Sequence, residues 1–385
     1  MRRVGINAIV LNQWSGGLGV YLRHLIDYLL REEVPFQPVV FTASDFAPPP
    51  AWQQAGAIVR TPVKSFRPIM RIAKEALFWK RLLARHKIDL LHSPISYVPL
   101  GVTVPTAVTI HDLRWFHLPR ACGPVRHWYL RAMIRRSAMR ACHIFTVSEF
   151  SKRDIVQVLG IPEARVSAIP EGFDPTPFSR PQAAARWDTV QQRYGLSERY
   201  ILSVGHLEPH KNFVRLIEAF RRLVDQEHQE LRLVIVGKKS WGTAEVYRAV
   251  EELDLGSRVV IAGFVADQDL PAVYQHAQLF VAPSLFEGFG FTPLESMAAG
   301  VPVAAARATS LPEIVGDAAI LFDPYDVAEM AQAMARLLHD QELRRTLVAG
   351  GYQNLRRFDW RTCCVRTADE LARLVHSVPE VRPCR

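Results

Sequence analysis

Short apolar runs alternate with helical segments along this chain, and this constrains the fold more than any other feature. A first series of runs lies at residues 3–11, 37–42, 89–92, 106–111 and 143–148. A second lies at residues 200–205, 231–237, 259–263, 279–283, 301–305 and 319–322. Strands separated by helices are typical of parallel sheets with helices on both faces. Because the order restarts once, the sequence predicts an α/β fold with two doubly wound, Rossmann-like domains.

The predicted domain boundary lies after the segment Pro170–Pro175, which ends the first series. We expect a first domain over residues 1–175, a hinge over 176–198 and a second domain over 199–355. Residues 356–385 should form a C-terminal helix that packs back toward the first domain.

Composition excludes several classes of protein. Of the 385 residues, 49% are hydrophobic and 22% charged, which argues against a disordered chain, a collagen or a long coiled coil. The five Cys residues have no paired spacing, which argues against a disulfide scaffold and a Cys-based zinc site. The apolar run 4–11 is too short for a signal peptide. The longest membrane candidate, residues 95–110, contains Pro99 and Pro105. The sequence therefore predicts a cytoplasmic protein without a spanning helix.

Charge is unevenly distributed between the two halves. The first 180 residues carry 24 Lys and Arg against 12 Asp and Glu, whereas the remaining residues carry 23 against 26. A basic first half suits an anionic partner such as a phosphate-rich ligand or an acidic membrane surface. Since no nucleic-acid-binding motif accompanies the charge, we expect no nucleic-acid partner.

The segment PSLFEGFGFTPLE, residues 283–295, is the strongest chemical signal. It places Glu287 in a Gly-rich turn after a predicted strand and Glu295 one turn into a predicted helix. Gly288 and Gly290 allow a ligand to approach the backbone closely, and amides at a helix start favour an anion. Both carboxylates can accept hydrogen bonds from hydroxyl groups. Alternatively, Glu287 is an ordinary loop residue and Glu295 a carboxylate stabilised by the helix dipole.

Several segments in one order resemble family 4 of the retaining glycosyltransferases. The family's Glu-x7-Glu element matches Glu287 and Glu295. Other matching segments lie at residues 16–19 (GGLG), 110–112 (IHD), 146–151 (TVSEFS), 203–212 (SVGHLEPHKN), 234–237 (VIVG) and 310–313 (SLPE). This resemblance implies the GT-B architecture, in which two Rossmann-like domains face each other across a crevice. Within the family, the chain is most similar to bacterial mannosyltransferases of surface-polysaccharide assembly.

The resemblance implies a role for each matching residue. Glu295 should bind the ribose hydroxyls of a nucleotide-sugar, Glu287 the transferred sugar and Lys211 the diphosphate. The amides of Gly288, Phe289 and Gly290 should line the sugar and the diphosphate. His111, at the end of a predicted strand, should face the reacting sugar.

Other donor contacts are less specific. His206 stands where the family often has Arg, so it either contacts phosphate or has a structural role. Gly17 lies in a Gly-rich turn that lacks the full dinucleotide fingerprint. Gly237, Lys238 and Val265 lie near the expected nucleotide base.

The sequence requires no metal. Asp267 and Asp269 resemble an Asp-x-Asp metal motif, but Asp269 precedes a predicted helix with Pro271 near its start, so we interpret it as an N-cap. His206 and His210 are four residues apart without a third ligand. We therefore expect no cofactor besides the nucleotide-sugar substrate, a GDP- or UDP-sugar.

Two basic segments could contact a membrane. On a helix through residues 69–85, one face carries Arg71, Lys74, Phe78, Arg81, Leu82 and Arg85. The second segment, residues 126–140, combines five Arg with Trp128 and Tyr129. Such faces suit an anionic membrane surface, although a solvated face is the alternative.

These features predict a retaining hexosyltransferase. Our first choice is transfer of mannose from GDP-mannose to a hydroxyl of an oligosaccharide or lipid-linked acceptor in bacterial polysaccharide assembly, at the inner face of the cell membrane. A UDP-sugar-dependent glucosyl- or N-acetylglucosaminyltransferase is the alternative within the class. A sugar-nucleotide epimerase on the same fold and a silent binding subunit are alternatives outside it.

Overall fold

The computed structural model describes residues 1–12, 16–64, 78–118, 124–180, 184–226 and 230–377. The chain divides into two compact units. Unit 1 comprises residues 1–116, 124–172 and 359–385, and unit 2 comprises residues 117–123 and 173–358.

Unit 1 is built on a parallel sheet. Within the described residues it has seven strands in the order β3-β2-β1-β4-β5-β6-β7. These are β1 (Arg3–Ala8), β2 (Gln37–Thr42), β3 (Ile58–Arg60), β4 (Leu90–Ser93), β5 (Thr106–Thr109), β6 (His143–Thr146) and β7 (Val166–Ala168). The helices are α1 (Gly16–Arg31), α2 (Pro50–Gln54), α3 (78–85), α4 (Arg114–His117), α5 (Pro124–Arg140) and α6 (Glu149–Leu159). The short strands β3 and β7 were not predicted, because three residues carry too little pattern.

The strand order of unit 1 indicates at which edge of the sheet a ligand would bind. β1 pairs with β2 on one side and with β4 on the other, so the strand order reverses beside β1. Ligands of open α/β sheets bind at the carboxyl ends of the strands next to such a reversal. His92 at the end of β4 and the residues after β1 and β5 therefore occupy the edge at which function is expected.

Unit 2 repeats this plan with a second parallel sheet. Its described strands lie in the order β10-β9-β8-β11-β12-β13. They are β8 (Tyr200–Val204), β9 (Arg232–Val236), β10 (Val259–Gly263), β11 (Leu279–Ala282), β12 (Val303–Ala306) and β13 (Ala319–Phe322). The helices are α7 (Thr176–Ser179), α8 (Ala184–Tyr194), α9 (Phe213–Gln226), α10 (Thr243–Glu252), α11 (Leu270–Gln275), α12 (Phe291–Ala298), α13 (Leu311–Val315), α14 (Val327–His339) and α15 (Gln341–Leu355). The predicted strands, buried on both faces, are thus present in both sheets.

Residues 176–198, which the sequence marks as a hinge, contain α7 and α8 and belong to unit 2. Trp187 of α8 stacks on His276 with ring centroids 3.8 Å apart. Gln275 donates hydrogen bonds to the carbonyl oxygens of Phe178 and Arg180. These contacts anchor most of the segment to the second sheet's helices, a result that its Pro-rich composition did not indicate.

The last helix, α16 (Trp360–Ser377), belongs to unit 1. Trp360 stacks on His24 of α1 with ring centroids 4.2 Å apart. Cys363, Cys364 and Leu371 are buried in the core that also contains β1 and α1. The apolar face of α16 is therefore covered by the first sheet's helices, although the chain reaches it after completing unit 2.

Candidate active site

Glycines close the carboxyl ends of three neighbouring strands in unit 2. Gly205 follows β8, Gly237 follows β9 and Gly263 ends β10. The Gly237 N–H donates to the Gly263 carbonyl oxygen at 2.8 Å. A Cβ atom on Gly237 would lie 1.8 Å from the Gly205 carbonyl oxygen, so no side chain fits there. Gly237, which the sequence predicts to bind the nucleotide-sugar, is thus required to be glycine by the packing of the backbone, whether or not a ligand binds.

The Lys211 side chain passes close to Gly205, at the carboxyl end of β8. A Cβ atom on Gly205 would lie 3.1 Å from Lys211 Cδ, so the lysine stem uses the space that a side chain would occupy. Asn212, in the left-handed conformation at φ 59°, anchors the turn behind the lysine. Its side-chain amide donates to the carbonyl oxygens of Pro283 and Pro324 at 3.1 and 2.8 Å. A buried amide thereby fixes the position from which the lysine extends.

Lys211 and Glu287 form an ion pair. Lys211 Nζ lies 2.6 Å from Glu287 Oε1, and each side chain is 17% exposed. Burial alone raises the pKa of Glu287, but the charges of Lys211 and His210 outweigh burial and hold that pKa below its ordinary value. The structure therefore brings two of the predicted catalytic residues together, as an ionised pair that solvent still reaches.

The turn that carries Glu287 is held from behind by Thr309 and Ser310. The Glu287 N–H donates to Thr309 Oγ1 at 3.0 Å. Ser310 Oγ contacts the carbonyl oxygens of Glu287 and Phe289 at 2.9 and 2.8 Å. Gly290 adopts φ 116°, which a side chain would strain, and leads into α12. These contacts fix the backbone of residues 287–290 at the start of a helix, where anions bind.

Phe289 contributes its backbone rather than its ring to this turn. The side chain is 5% exposed and packs against Phe291 and Phe358, with ring centroids 5.1 and 5.5 Å away. Gly288 is also buried. The predicted use of the amides of residues 288–290 remains compatible with this packing.

Glu295 lies in α12 and meets a tyrosine that the sequence did not single out. Tyr274 in α11 donates its hydroxyl to Glu295 Oε2 at 2.6 Å. Burial raises the pKa of Glu295 to about 7, opposed by the hydrogen bond from Tyr274. No motif relates Tyr274 to Glu295, because they belong to different helices that meet only in the folded unit. Glu295 consequently titrates near neutral pH, unlike Glu287.

The residues predicted near the nucleotide base lie at the ends of β9 and β10. Lys238 Nζ lies 4.5 Å from the centre of the Phe264 ring, and Phe264 is 50% exposed. Val265 is 3% exposed, and its place near the nucleotide base stays a prediction. Phe264, the preceding residue, presents the aromatic face on which a base could stack.

His206 lies just beyond Gly205 with its side chain 61% exposed. Its Nδ1 atom lies 3.9 Å from Glu208 Oε1. A contact of His206 with phosphate stays a prediction.

In unit 1, the predicted catalytic residue His111 lies beyond the end of β5. Its Nδ1 atom is 3.3 Å from Glu171 Oε1, and its Nε2 atom is 3.3 Å from the Pro94 carbonyl oxygen. Sequence reasoning missed Glu171, although it lies in the turn that ends the first series of strands.

Gly17 is exposed in the first turn of α1.

Asp269 has a different partner set from the one predicted. It occupies the N-cap position of α11, yet its side chain makes no capping hydrogen bond. Its carboxylate instead contacts Arg186 and Arg193 at 2.9 Å and Tyr194 at 3.0 Å. The carboxylate is 5% exposed, so it serves as the buried anchor of α8. In the described ranges, no group of three or more His, Cys, Asp and Glu residues could hold a metal ion.

The structure describes four of the six residues of the predicted basic stripe. Phe78 and Leu82 are half-buried and pack against the unit 1 core, since α3 turns its apolar residues inward. Their contact with a membrane stays a prediction. Arg81 and Arg85 are exposed, and Arg71 and Lys74 lie outside the described residues.

The second basic segment, α5, exposes more apolar surface than α3. Trp128 is 73% exposed and Met139 57%. The helix carries five Arg and no acidic residue. Among the helices of the described chain, none is both long and apolar enough to span a bilayer.

Unit 2 thus combines a lysine–carboxylate pair with a second carboxylate in α12, beside the strand ends of a parallel sheet. Two family models match the chain: Glycosyltransferase Family 4 over residues 15–176 and Glycosyl transferases group 1 over residues 189–354. O-antigen chain mannosyltransferase B of Escherichia coli is 32% identical over 286 residues, covering 74% of each chain. A GDP-mannose-dependent alpha-(1-6)-phosphatidylinositol monomannoside mannosyltransferase of Mycolicibacterium smegmatis is 28% identical over 93% of this chain and 95% of that protein.

Among solved structures, sucrose-phosphate synthase from Thermosynechococcus elongatus matches with a TM-score of 0.77 at 19% identity, covering 98% of this chain and 100% of that one. The α/β fold is that of the GT-B glycosyltransferases. The chain belongs to the family 4 glycosyltransferases, and it is a hexosyltransferase that uses a nucleotide-sugar donor.

Proposed function

We propose that the protein transfers mannose, with retention of anomeric configuration, from GDP-mannose to a hydroxyl of a growing bacterial polysaccharide. The observation that carries the proposal is the ion pair of Lys211 and Glu287 beside the Glu295–Tyr274 hydrogen bond. It provides a cation for the diphosphate and two carboxylates for hydroxyl groups. The names of the relatives, an O-antigen mannosyltransferase and a GDP-mannose-dependent enzyme, support the choice of sugar and nucleotide.

Each residue then has a chemical role in the donor complex. Glu295 accepts the ribose hydroxyls, and Glu287 accepts hydroxyls of the mannosyl group. Lys211 neutralises the diphosphate, whose negative charge grows as the glycosidic bond breaks. The amides of residues 288–290 bind the same group at the start of α12. His206 and Lys238, at the ends of β8 and β9, contact the nucleotide.

Lys211 has to serve two anions in this scheme. Its Nζ atom already contacts Glu287, and a bound diphosphate adds a second negative group. Because the pair is 17% exposed, a ligand oxygen can reach the ammonium without unfolding the turn. A lysine suits this task because its three N–H donors can be shared between partners.

A panel of nucleotides tests the donor. GDP, UDP and ADP are compared by thermal shift, followed by transfer assays with GDP-mannose, UDP-glucose and UDP-N-acetylglucosamine. A ligand at 100 times its Kd stabilises the protein by about 2.7 kcal/mol. GDP should give the largest shift, and GDP-mannose should be the productive donor. Preference for UDP and its sugars contradicts the mannosyl assignment, and conversion of a nucleotide-sugar without an acceptor indicates an epimerase.

The acceptor in this proposal is lipid-linked, and unit 1 rests on the inner face of the membrane. The support lies in α5, which carries the exposed apolar residues Trp128 and Met139 together with exposed Arg126, Arg131, Arg135 and Arg140. Each cation near an anionic membrane contributes about 1 kcal/mol, and the contribution decreases as salt rises. This suffices for reversible attachment.

Vesicle flotation tests the membrane proposal. Binding should require anionic lipid and fall with salt. Changing Arg126, Arg131, Arg135 and Arg140 to Gln should reduce it strongly, by about 4 kcal/mol at most. The matched control changes the same number of exposed arginines in unit 2, namely Arg222, Arg248, Arg336 and Arg345. Equal loss in both variants would show that net charge rather than α5 is responsible.

A further inference from the structure

Both ring nitrogens of His111 face hydrogen-bond acceptors. Nδ1 lies 3.3 Å from Glu171 Oε1 and Nε2 lies 3.3 Å from the Pro94 carbonyl oxygen. The Nδ1 contact is at ion-pair distance, and Glu171 Oε1 has no hydrogen-bond partner within the described residues. A neutral ring would leave this buried carboxylate without a counter-charge, whereas the imidazolium supplies one. The surroundings of the ring therefore favour its charged form.

Tertiary contacts fix Glu171 in this position. The carboxylate side chain is 4% exposed. A Cβ atom on the next residue, Gly172, would lie 2.3 Å from the Trp360 backbone nitrogen, so the chain presses directly against the start of α16. Trp360 is in turn held by its stacking on His24. Glu171 therefore cannot withdraw into solvent, and a buried carboxylate without a cation would be costly.

The other groups that face His111 are compatible with a positive charge on it. The Asp112 carboxylate contacts Arg114 at 3.1 Å, and its charge also raises the pKa of His111, less than Glu171 does. Tyr21 presents its ring at 5.5 Å. His92 has a pKa of about 3 because it is buried and adjoins His111 and His143, so it stays neutral. Burial opposes the charge on His111, but Glu171, followed by Pro94 and Asp112, raises its pKa above the ordinary value.

We propose that Glu171 is a positioning residue that holds His111 as an imidazolium, so that His111 donates hydrogen bonds to the substrate instead of abstracting a proton. The proposal rests on the proposed function and assigns the charge state of one of its residues. The long contact from Nε2 to Pro94 and the 21% exposure of the His111 side chain leave that N–H available to a ligand oxygen. A fixed positive charge stabilises a substrate oxygen that becomes more negative in the transition state.

Histidine NMR on the full-length protein tests this without a substrate. The His111 signal is assigned by its absence in His111→Asn. In the wild type it should titrate above 6.5. In Glu171→Gln its midpoint should fall by about one unit or more, because burial remains while the carboxylate charge is lost. Asp112→Asn is the matched control and should shift the midpoint less. An unchanged midpoint in Glu171→Gln would overturn the proposal.

The pH profile of kcat/KM gives the second readout. Transfer should decrease as His111 loses its proton, and this alkaline limb should move to lower pH in Glu171→Gln. Glu171→Asp, which keeps the charge, should restore the limb toward its wild-type position and also serves if Glu171→Gln does not fold. A limb that stays in place in Glu171→Gln argues for a purely structural residue. Failure of every nucleotide-sugar to react would refute the proposed function, while the NMR titration would still decide the charge of His111.

Discussion

Each unit of this enzyme pairs a shielded carboxylate with a basic side chain at the carboxyl end of its sheet, but the two pairs differ in kind. In unit 2, Glu287 and Lys211 are each 17% exposed. In unit 1, Glu171 is 4% exposed and its partner His111 is 21% exposed. Lysine is charged throughout the working pH range, whereas the charge of histidine depends on its partner.

This difference separates a pair that a ligand can rearrange from one that the fold maintains. An incoming diphosphate can compete for Lys211 because solvent already reaches both members of that pair. Glu171 is more deeply buried than His111, so solvent and ligand do not reach it. It therefore sets the charge state of His111 before any ligand binds. Unit 2 thus carries an exchangeable cation, Lys211, and unit 1 carries a fixed cation, His111.

Removing the exchangeable cation should have the largest effect. Lys211→Ala deletes the charge that meets the diphosphate and leaves Glu287 shielded without its partner. We expect kcat/KM to fall by about 100-fold or more, with weaker binding of GDP, as measured by steady-state kinetics and calorimetry. Lys152→Ala is the control, because Lys152 pairs with the 73% exposed Glu163 in unit 1 and should leave both values nearly unchanged. Equal effects in the two variants would exclude a specific role for Lys211.

Removing the carboxylate of the same pair should separate binding from turnover. Glu287→Ala should reduce turnover by about 10-fold or more, because hydrogen bonds from the transferred sugar to a charged group are lost. Affinity for free GDP should stay near the wild-type value, since GDP carries no sugar. If GDP binding falls as much as it does in Lys211→Ala, then Glu287 acts mainly by orienting the lysine.

Glu295 should show a smaller, pH-dependent effect that Glu287 does not share. With a pKa of about 7, Glu295 is largely protonated below neutral pH and ionised above it. Ribose hydroxyls donate best to the ionised form, so GDP affinity should increase as pH rises through 7 and decrease by up to about tenfold in total below it. Calorimetry at a series of pH values from about 5.5 to 8.5 measures the GDP affinity.

The matched variant is Glu295→Gln, which keeps a hydrogen-bond acceptor for Tyr274 but cannot titrate. Its GDP affinity should be weaker than that of the wild type at pH 8 and should retain only the pH dependence of the nucleotide itself. A wild-type curve that coincides with the Glu295→Gln curve would mean that Glu295 does not bind the ribose.

Much of the fold could be predicted from local pattern, whereas the helices of residues 176–198 could not. The buried strands β8 and β11 are continuous apolar runs, so their ends fell within two residues of the predicted ones. The segment 176–198 was expected to be a hinge because proline and polar residues dominate it. Its helices exist because Trp187 and Asp269 meet partners far along the chain, and such contacts leave no periodic signal.

By itself, the sequence determined the two-domain α/β class, the glycosyltransferase family and the positions of Lys211, Glu287, Glu295 and His111. These follow from strand periodicity and from residues fixed within short segments. Only the tertiary structure decided which groups meet: Lys211 with Glu287, Tyr274 with Glu295 and Glu171 with His111. The charge state of a side chain and its access to ligand depend on its burial and on its partners. Burial and partners are set by contacts between residues that are distant in the sequence, so the sequence pattern does not reveal them.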